Sequence, residues 1–141
     1  MIAYLDTSAA VKLVVSEPGS NEALRIWAAA RSVASSVMLY PEARAALKRA
    51  ARDRRLGETQ LRHAIWDFER LWAQVARIGV APLLARRAGA LAHEQNLRGC
   101  DAMHLASAEL LRSAELVFVA ADRDLSAAAR RLGFAVARLP A

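Results

Sequence analysis

The sequence predicts an α/β fold with a mainly parallel central sheet and helices on both faces, and three observations predict it. The chain opens on a short apolar run, IAYLD, that passes directly into a helical pattern, TSAAVKLVVSE. Its second half carries the most strand-like run, ELVFVAAD, followed by a helical DRDLSAAARRLG and a closing strand, FAVARL. Between these, further strand-like and helical segments alternate. Strands joined through helices pair in parallel, and the right-handed crossovers lay helices on both faces of the sheet. At 141 residues the chain fits one domain, 1–141, with room for a sizeable core.

Each element follows from local pattern. IAYLD is a buried strand, and the helix TSAAVKLVVSE is ended by the Pro18-Gly19 turn. NEALRIWAAAR forms a second helix, VASS a short strand, and PEARAALKRAARDRR a third helix. Pro41 suits the first turn of that helix, but a start as early as Ser36 predicts a kink there. ETQLRHAIWDFERLWAQVARI is strongly amphipathic, with Leu61, Ile65, Phe68, Trp72 and Val75 recurring on one core-facing stripe. Gly79 and Pro82 break the pattern, LLARRAGALAHEQNL resumes it, and Gly99 is the expected C-terminal stop. The helix in LRGCDAMHLASAELL comes next, and Gly133 closes the last helix before FAVARL.

Composition excludes several classes. Hydrophobic residues make up 55% of the chain. Charges nevertheless interrupt every apolar run before the roughly 18 residues of a membrane span. MIAYLD lacks the basic lead of a secretory signal, so a cytoplasmic protein with no membrane association is expected. The single cysteine, Cys100, can form neither an internal disulfide nor a zinc site alone, and is expected as a small core residue. A net charge of +6 favours a polyanionic partner.

The chemistry rests with acids. Asp6 ends the first strand and Asp122 the strong later one, so both emerge on one edge of a parallel sheet. Asp101 starts a helix, and Glu42 lies in the first part of the third helix. Each has a local explanation as a helix cap or as a complement to a helix dipole. Together they point further. At an effective dielectric near 20, two carboxylates about 4 Å apart repel by about 4 kcal/mol, so a cluster of them needs protons or cations. Hard oxygen donors without His or Cys companions suit Mg²⁺ or Mn²⁺, ions that bind substrate phosphate directly. Arg and Lys at Lys48, Arg49, Arg52, Arg54, Arg55, Arg86 and Arg87 form a basic rim suited to an RNA backbone. His104, on an apolar helix, reads as a hydrogen-bonded structural residue.

In order and spacing, YLDTSAAVKLVVSEPGS, PEARAALKR, LRGCDAMHLASAELL and FVAADRDLSAAARRLGF resemble a PIN-domain ribonuclease of the VapC toxin type, and the resemblance spans almost the whole chain. It implies a PIN-like α/β domain and a metal-dependent endoribonuclease encoded beside an antitoxin. Asp6, Glu42, Asp101 and Asp122 fall on the family's acidic metal-binding positions, with Mg²⁺ or Mn²⁺ as cofactor. The partners expected are RNA as substrate, a second copy in a homodimer, and a cognate VapB-like antitoxin that inserts a basic side chain, Arg above all, among the four acids. One departure stands out: Ala120 occupies the position where the family usually carries Thr or Ser, leaving Thr7 and Ser8 as the nearby hydroxyls. That departure sustains an alternative, a PIN-fold RNA- or protein-binding module with weak or no catalysis. An aspartyl phosphatase fits poorly, because Ser8 stands where its second Asp belongs. A receiver domain fits poorly too, because Lys12 and Lys48 are the only lysines and neither is late in the chain.

Overall fold

The computed structural model describes residues 1–141, in the order β1 (Ile2–Leu5), α1 (Thr7–Val11), α2 (Ser20–Ala29), β2 (Ser32–Ser36), α3 (Leu39–Arg52), α4 (Glu58–Trp72), β3 (Ala76–Ile78), α5 (Pro82–Gln95), α6 (Gly99–Glu109), β4 (Leu116–Ala120), α7 (Arg123–Arg131) and β5 (Ala135–Arg138). The five strands form one sheet in the order β3-β2-β1-β4-β5, and every pairing is parallel. The α/β class with helices on both faces is therefore the observed architecture.

Alternation along the central strand divides the core in two. Ala3 and Leu5 face a cluster built with Ala9, Leu39, Ala43, Leu47 and Phe68, which α1, α3 and α4 supply. Tyr4 faces the other cluster, with Leu91, Leu105, Phe118 and Leu125 from α5, α6, β4 and α7. Tyr4 stacks on Phe118 with ring centroids 5.4 Å apart, locking the two central strands together from that side. The chain leaves β1 first toward β2 and later returns to its opposite side as β4, so strand order reverses at β1. In open parallel sheets ligands bind beyond the carboxyl ends of the strands at such a point. No helix is long and apolar enough to cross a membrane.

Three local expectations are corrected, and the first-turn placement of Pro41 is borne out. The stripe carried on from α4 does not stay helical to Ile78. The backbone tightens after Trp72 through Gln74 N–H to the Leu71 carbonyl, and Ala76–Ile78 pairs with Ala34–Ser36 as an edge strand. Three residues are too few to show a period of 2 rather than 3.6, so only the neighbouring strand reveals β3. The first helix ends at Val11, after which Leu13 and Val14 bond three residues back, where β-branched Val14 and Val15 make a poor helix. Pro41 is the third residue of α3, within the first turn where it lacks no hydrogen bond, so no kink arises. Gly99 begins α6 instead of ending α5, whose stop is Asn96 in the left-handed region at φ 54°.

Candidate functional site

β1 and β4 lie side by side, with Leu5 opposite Val119, and the Asp6 N–H bonds the Val119 carbonyl at 3.1 Å. This pairing brings Asp6 and Asp122 out at the same sheet edge. Both also cap the helix that follows: Asp6 Oδ1 accepts the Ala9 N–H at 3.0 Å, and Asp122 Oδ1 accepts the Leu125 N–H at 2.7 Å. Glu42 sits in the first turn of α3, where Thr7 Oγ1 donates to its Oε1 at 2.9 Å and His104 Nε2 lies 2.9 Å from the same oxygen. Asp101 is the third residue of α6 and accepts from Arg98 Nε at 3.0 Å. The helix-cap reading of Asp101 is thereby corrected, because the cap position belongs to Arg98, whose side chain makes no capping bond.

All four acids line one cavity of about 620 Å³, together with Thr7, Ser8, Lys12, Glu17, Arg49, Arg55, Arg98, Cys100 and His104. Within it they do not close on a single point: each carboxylate is held by its own local donors, and no three His, Cys, Asp or Glu side chains stand at ion-binding spacing. The type of donor still fits a hard divalent cation. Asp6 is 4% exposed, and its bonded partners are the Ser8 hydroxyl, at 2.7 and 2.9 Å from its two oxygens, and an amide N–H, with no cation among them. Burial pushes the Asp6 carboxyl above the usual carboxylate range, and the charge of Asp101 adds to this against the opposing His104, Ser8 and Ala9. A buried anion in that position calls for a cation. Burial also works against the Glu42 carboxylate, but hydrogen bonding from His104 and Thr7 outweighs it and holds the group below its ordinary value.

Several neighbours depart from the sequence reading. Cys100 is exposed instead of a core residue, because its position beside the cavity puts it on the open side of α6. Its thiol is pushed up by burial of the sulfur and by the Glu42 charge, the opposite of what a reactive thiolate needs. Ala120 is fully buried in the second core cluster and does not line the cavity. The hydroxyls at the site are those of Thr7 and of Ser8, which also accepts the Ala121 N–H at 2.9 Å. Asp124 is largely exposed, beside Arg123, and lies outside the main cavity. Of the basic rim, Arg49 and Arg55 line the cavity, whereas Arg87 is held in a two-point pair with Glu109 at 2.8 and 3.0 Å. Sequence reasoning missed Lys12 and Glu17. Lys12, 5% exposed, reaches Glu17 at 3.1 Å and the Pro18 carbonyl at 2.7 Å. Its spacing of four from Ser8 was the available sign that it faces the same way.

A five-stranded parallel sheet with acids gathered at its carboxyl edge defines a class, and the model of that class, the PIN domain, matches residues 3–131. The chain belongs to the PIN-domain family. Within it, the chain is 40% identical over 136 residues to Ribonuclease VapC49 of Mycobacterium tuberculosis (strain ATCC 25618 / H37Rv), covering 96% of this chain and 94% of that protein. Among solved structures, Mycobacterium tuberculosis VapC20, a sarcin-ricin loop cleaving toxin, superposes with a TM-score of 0.69 at 24% identity, over 96% of this chain and 98% of that one. VapBC2 from Rickettsia felis, bound to a DNA fragment from their promoter, superposes with a TM-score of 0.65 at 14% identity, over 99% of each chain.

Proposed function

We propose that this protein is a metal-dependent endoribonuclease toxin, one PIN domain across residues 1–141, that hydrolyses RNA phosphodiester bonds and is held inactive by a cognate antitoxin. The observation that carries the reading is the convergence of Asp6, Glu42, Asp101 and Asp122 on one cavity at the carboxyl edge of the sheet, with Asp6 buried and bonded to no cationic side chain. These four are the proposed ligands, and Mg²⁺ or Mn²⁺ the proposed ion. Bound there, the ion would polarise the phosphoryl group and acidify the attacking water. The protein supplies the rest. Ser8 and the Ala9 N–H orient the Asp6 carboxylate, Thr7 and His104 orient Glu42, and the buried floor keeps these dipoles fixed. Attack by water leaves a 5′-phosphate and a 3′-hydroxyl, and needs no 2′-hydroxyl and no His pair.

Binding of RNA is supported by the cations beside the acids. Lys12 and Arg55 are drawn toward Glu17, and Arg98 toward Asp101, which leaves Arg49 to meet a substrate phosphate. The proposed inhibitor is a VapB-like antitoxin whose Arg enters among the four acids. A guanidinium satisfies two carboxylate oxygens at once, and no cationic side chain of this protein bonds Asp6. A homodimer is proposed from the exposed apolar residues Val37, Val80 and Leu83, of which Val37 donates its N–H to the Ile78 carbonyl two residues before Val80. A purely binding role loses its support, since Ala120 does not face the cavity.

The test is cleavage of total RNA with Mn²⁺ or Mg²⁺, with and without chelator, followed by mapping of the new ends. Asp101→Asn, which keeps an acceptor for Arg98 but loses the anionic oxygen, is expected to abolish cleavage with the fold intact. Chelator-resistant cleavage, or cyclic phosphate ends, would overturn the proposal.

A further inference from the structure

Tyr4 is wholly buried beneath the cavity, and its hydroxyl accepts the Ser36 N–H at 3.1 Å. Nδ1 of His104 lies 3.0 Å from that hydroxyl and accepts its proton in the tautomer that is protonated at Nε2. With Nδ1 accepting, a neutral imidazole carries its proton on Nε2. Nε2 faces Glu42 Oε1 at 2.9 Å, and a carboxylate oxygen only accepts. Thr7 Oγ1 donates to the same oxygen at 2.9 Å. A hydrogen-bond chain thus runs from the end of β2, through β1 and α6, to the acid on α3. His104 is 1% exposed, and its neighbours Ala102, Leu105 and Ala106 belong to an apolar cluster. Packing alone would be served by a leucine; both ring nitrogens are used, and one of them is used at the cavity.

We infer that His104 is a positioning residue for Glu42: its Nε2–H, set by Tyr4, fixes the carboxylate in the orientation from which it engages a divalent ion. The inference rests on Glu42 being a ligand. A free glutamate side chain has several rotamers to lose on binding, and a donor that selects one beforehand removes that cost from the binding step. Partners of this kind behind ligand side chains are worth about 10- to 100-fold in metal affinity. Tyr4 acts one step further back, since without its proton the ring is free to take the other tautomer and turn an acceptor toward Glu42.

The test is Mn²⁺ affinity of the full chain, measured by calorimetry or by electron paramagnetic resonance of free Mn²⁺, at one pH. His104→Leu is expected to weaken binding about tenfold or more, whereas His104→Gln, whose amide N–H reaches the same carboxylate, restores affinity to within about threefold. Tyr4→Phe, which keeps the ring and its packing, is expected to fall between the two and guards against a leucine variant that fails to fold. The discriminating measurement repeats His104→Leu in a Glu42→Ala background. A residue that acts through Glu42 has no further effect there. At saturating Mn²⁺ the KM for RNA is expected to stay unchanged. An equal loss of affinity in both backgrounds, or no loss in the wild-type background, would overturn the inference. Unchanged Mn²⁺ affinity in Glu42→Ala by itself would instead overturn the ligand assignment on which it rests.

Discussion

At the scale of single residues, the site is a set of carboxylates in unlike surroundings. Asp6 is buried with a hydroxyl and an amide for company, and its carboxyl is raised; Glu42 is half-buried between two donors, and its carboxyl is lowered. The two carry opposite pH signatures. A raised carboxyl binds its proton more tightly in the folded chain, so the stability it contributes is fully present below the ordinary carboxylate pKa and is lost as pH rises through the raised value. Glu42 contributes in the other sense, and its share is lost only as pH falls through its lowered value. Asp6→Asn retains the cap on the Ala9 N–H but removes the buried charge. In metal-free buffer at pH 7 the variant is expected to melt a few degrees above wild type, with the gap closing toward acid, while losing cleavage altogether. Thermal unfolding from pH 4 to pH 8 checks it; a variant less stable than wild type at pH 7 would show that the buried carboxylate is already compensated.

At the scale of elements, strand ends deliver acids and helix starts hold them. Asp122 does both, as the N-cap of α7 and as a wall of the cavity, while Asp124, the second residue of the same helix, lies in solvent. Asp122→Ala is therefore expected to lose cleavage and about 1 kcal/mol of stability together, and Asp122→Asn to lose cleavage alone. Asp124→Ala should leave both nearly unchanged. If Asp124→Ala proved the more damaging in a cleavage assay, the assignment of the β4 end would be wrong. The same logic applies along α3, whose face runs from Glu42 past Ala45 and Ala46 to Arg49, about 10 Å along the axis at 1.5 Å per residue. Small alanines leave a groove between acid and base, with Arg49 at its far end. In a cleavage-dead Asp101→Asn chain, Arg49→Ala is expected to lower the slope of log affinity against log salt by about 0.7, the share of one single-strand phosphate contact. An unchanged slope in filter binding across salt concentrations would return Arg49 to the solvated surface.

At the scale of the whole molecule, a chain of net charge +6 brings four acids into one cavity and sets Lys12, Arg49, Arg55 and Arg98 along its walls. The positive field gathers a polyanion, and the acidic centre requires a cation before that polyanion can be seated. The same arrangement explains how a partner would inhibit: a guanidinium entering the cavity meets the need that a metal ion meets. With this chain separated from its antitoxin and refolded, adding back the partner is expected to suppress RNA cleavage, and a partner whose cavity-directed Arg is changed to Ala should suppress it at least tenfold less well. Equal suppression by the two would assign inhibition to steric cover.

The sequence by itself determined the α/β class, all seven helices, four of the five strands, and the two acids at strand ends. These follow from the order of apolar runs and from what stands at their ends, which are properties of neighbours along the chain. It also carried the family, through four ordered segments. Only the tertiary structure decided the rest. The three residues of β3 are a strand because β2 lies beside them. Cys100 is exposed and Ala120 sealed because of which face of α6 and β4 each occupies. Asp101, for which a helix cap was only the local explanation, bonds Arg98 from inside the first turn. His104, expected as hydrogen-bonded and structural, is so, but its bonds join Tyr4, 100 residues away, to Glu42, 62 residues away. Periodicity reports which side of an element is buried; it carries no information on which buried groups meet, because that depends on how helices and strands distant in sequence are packed against one sheet.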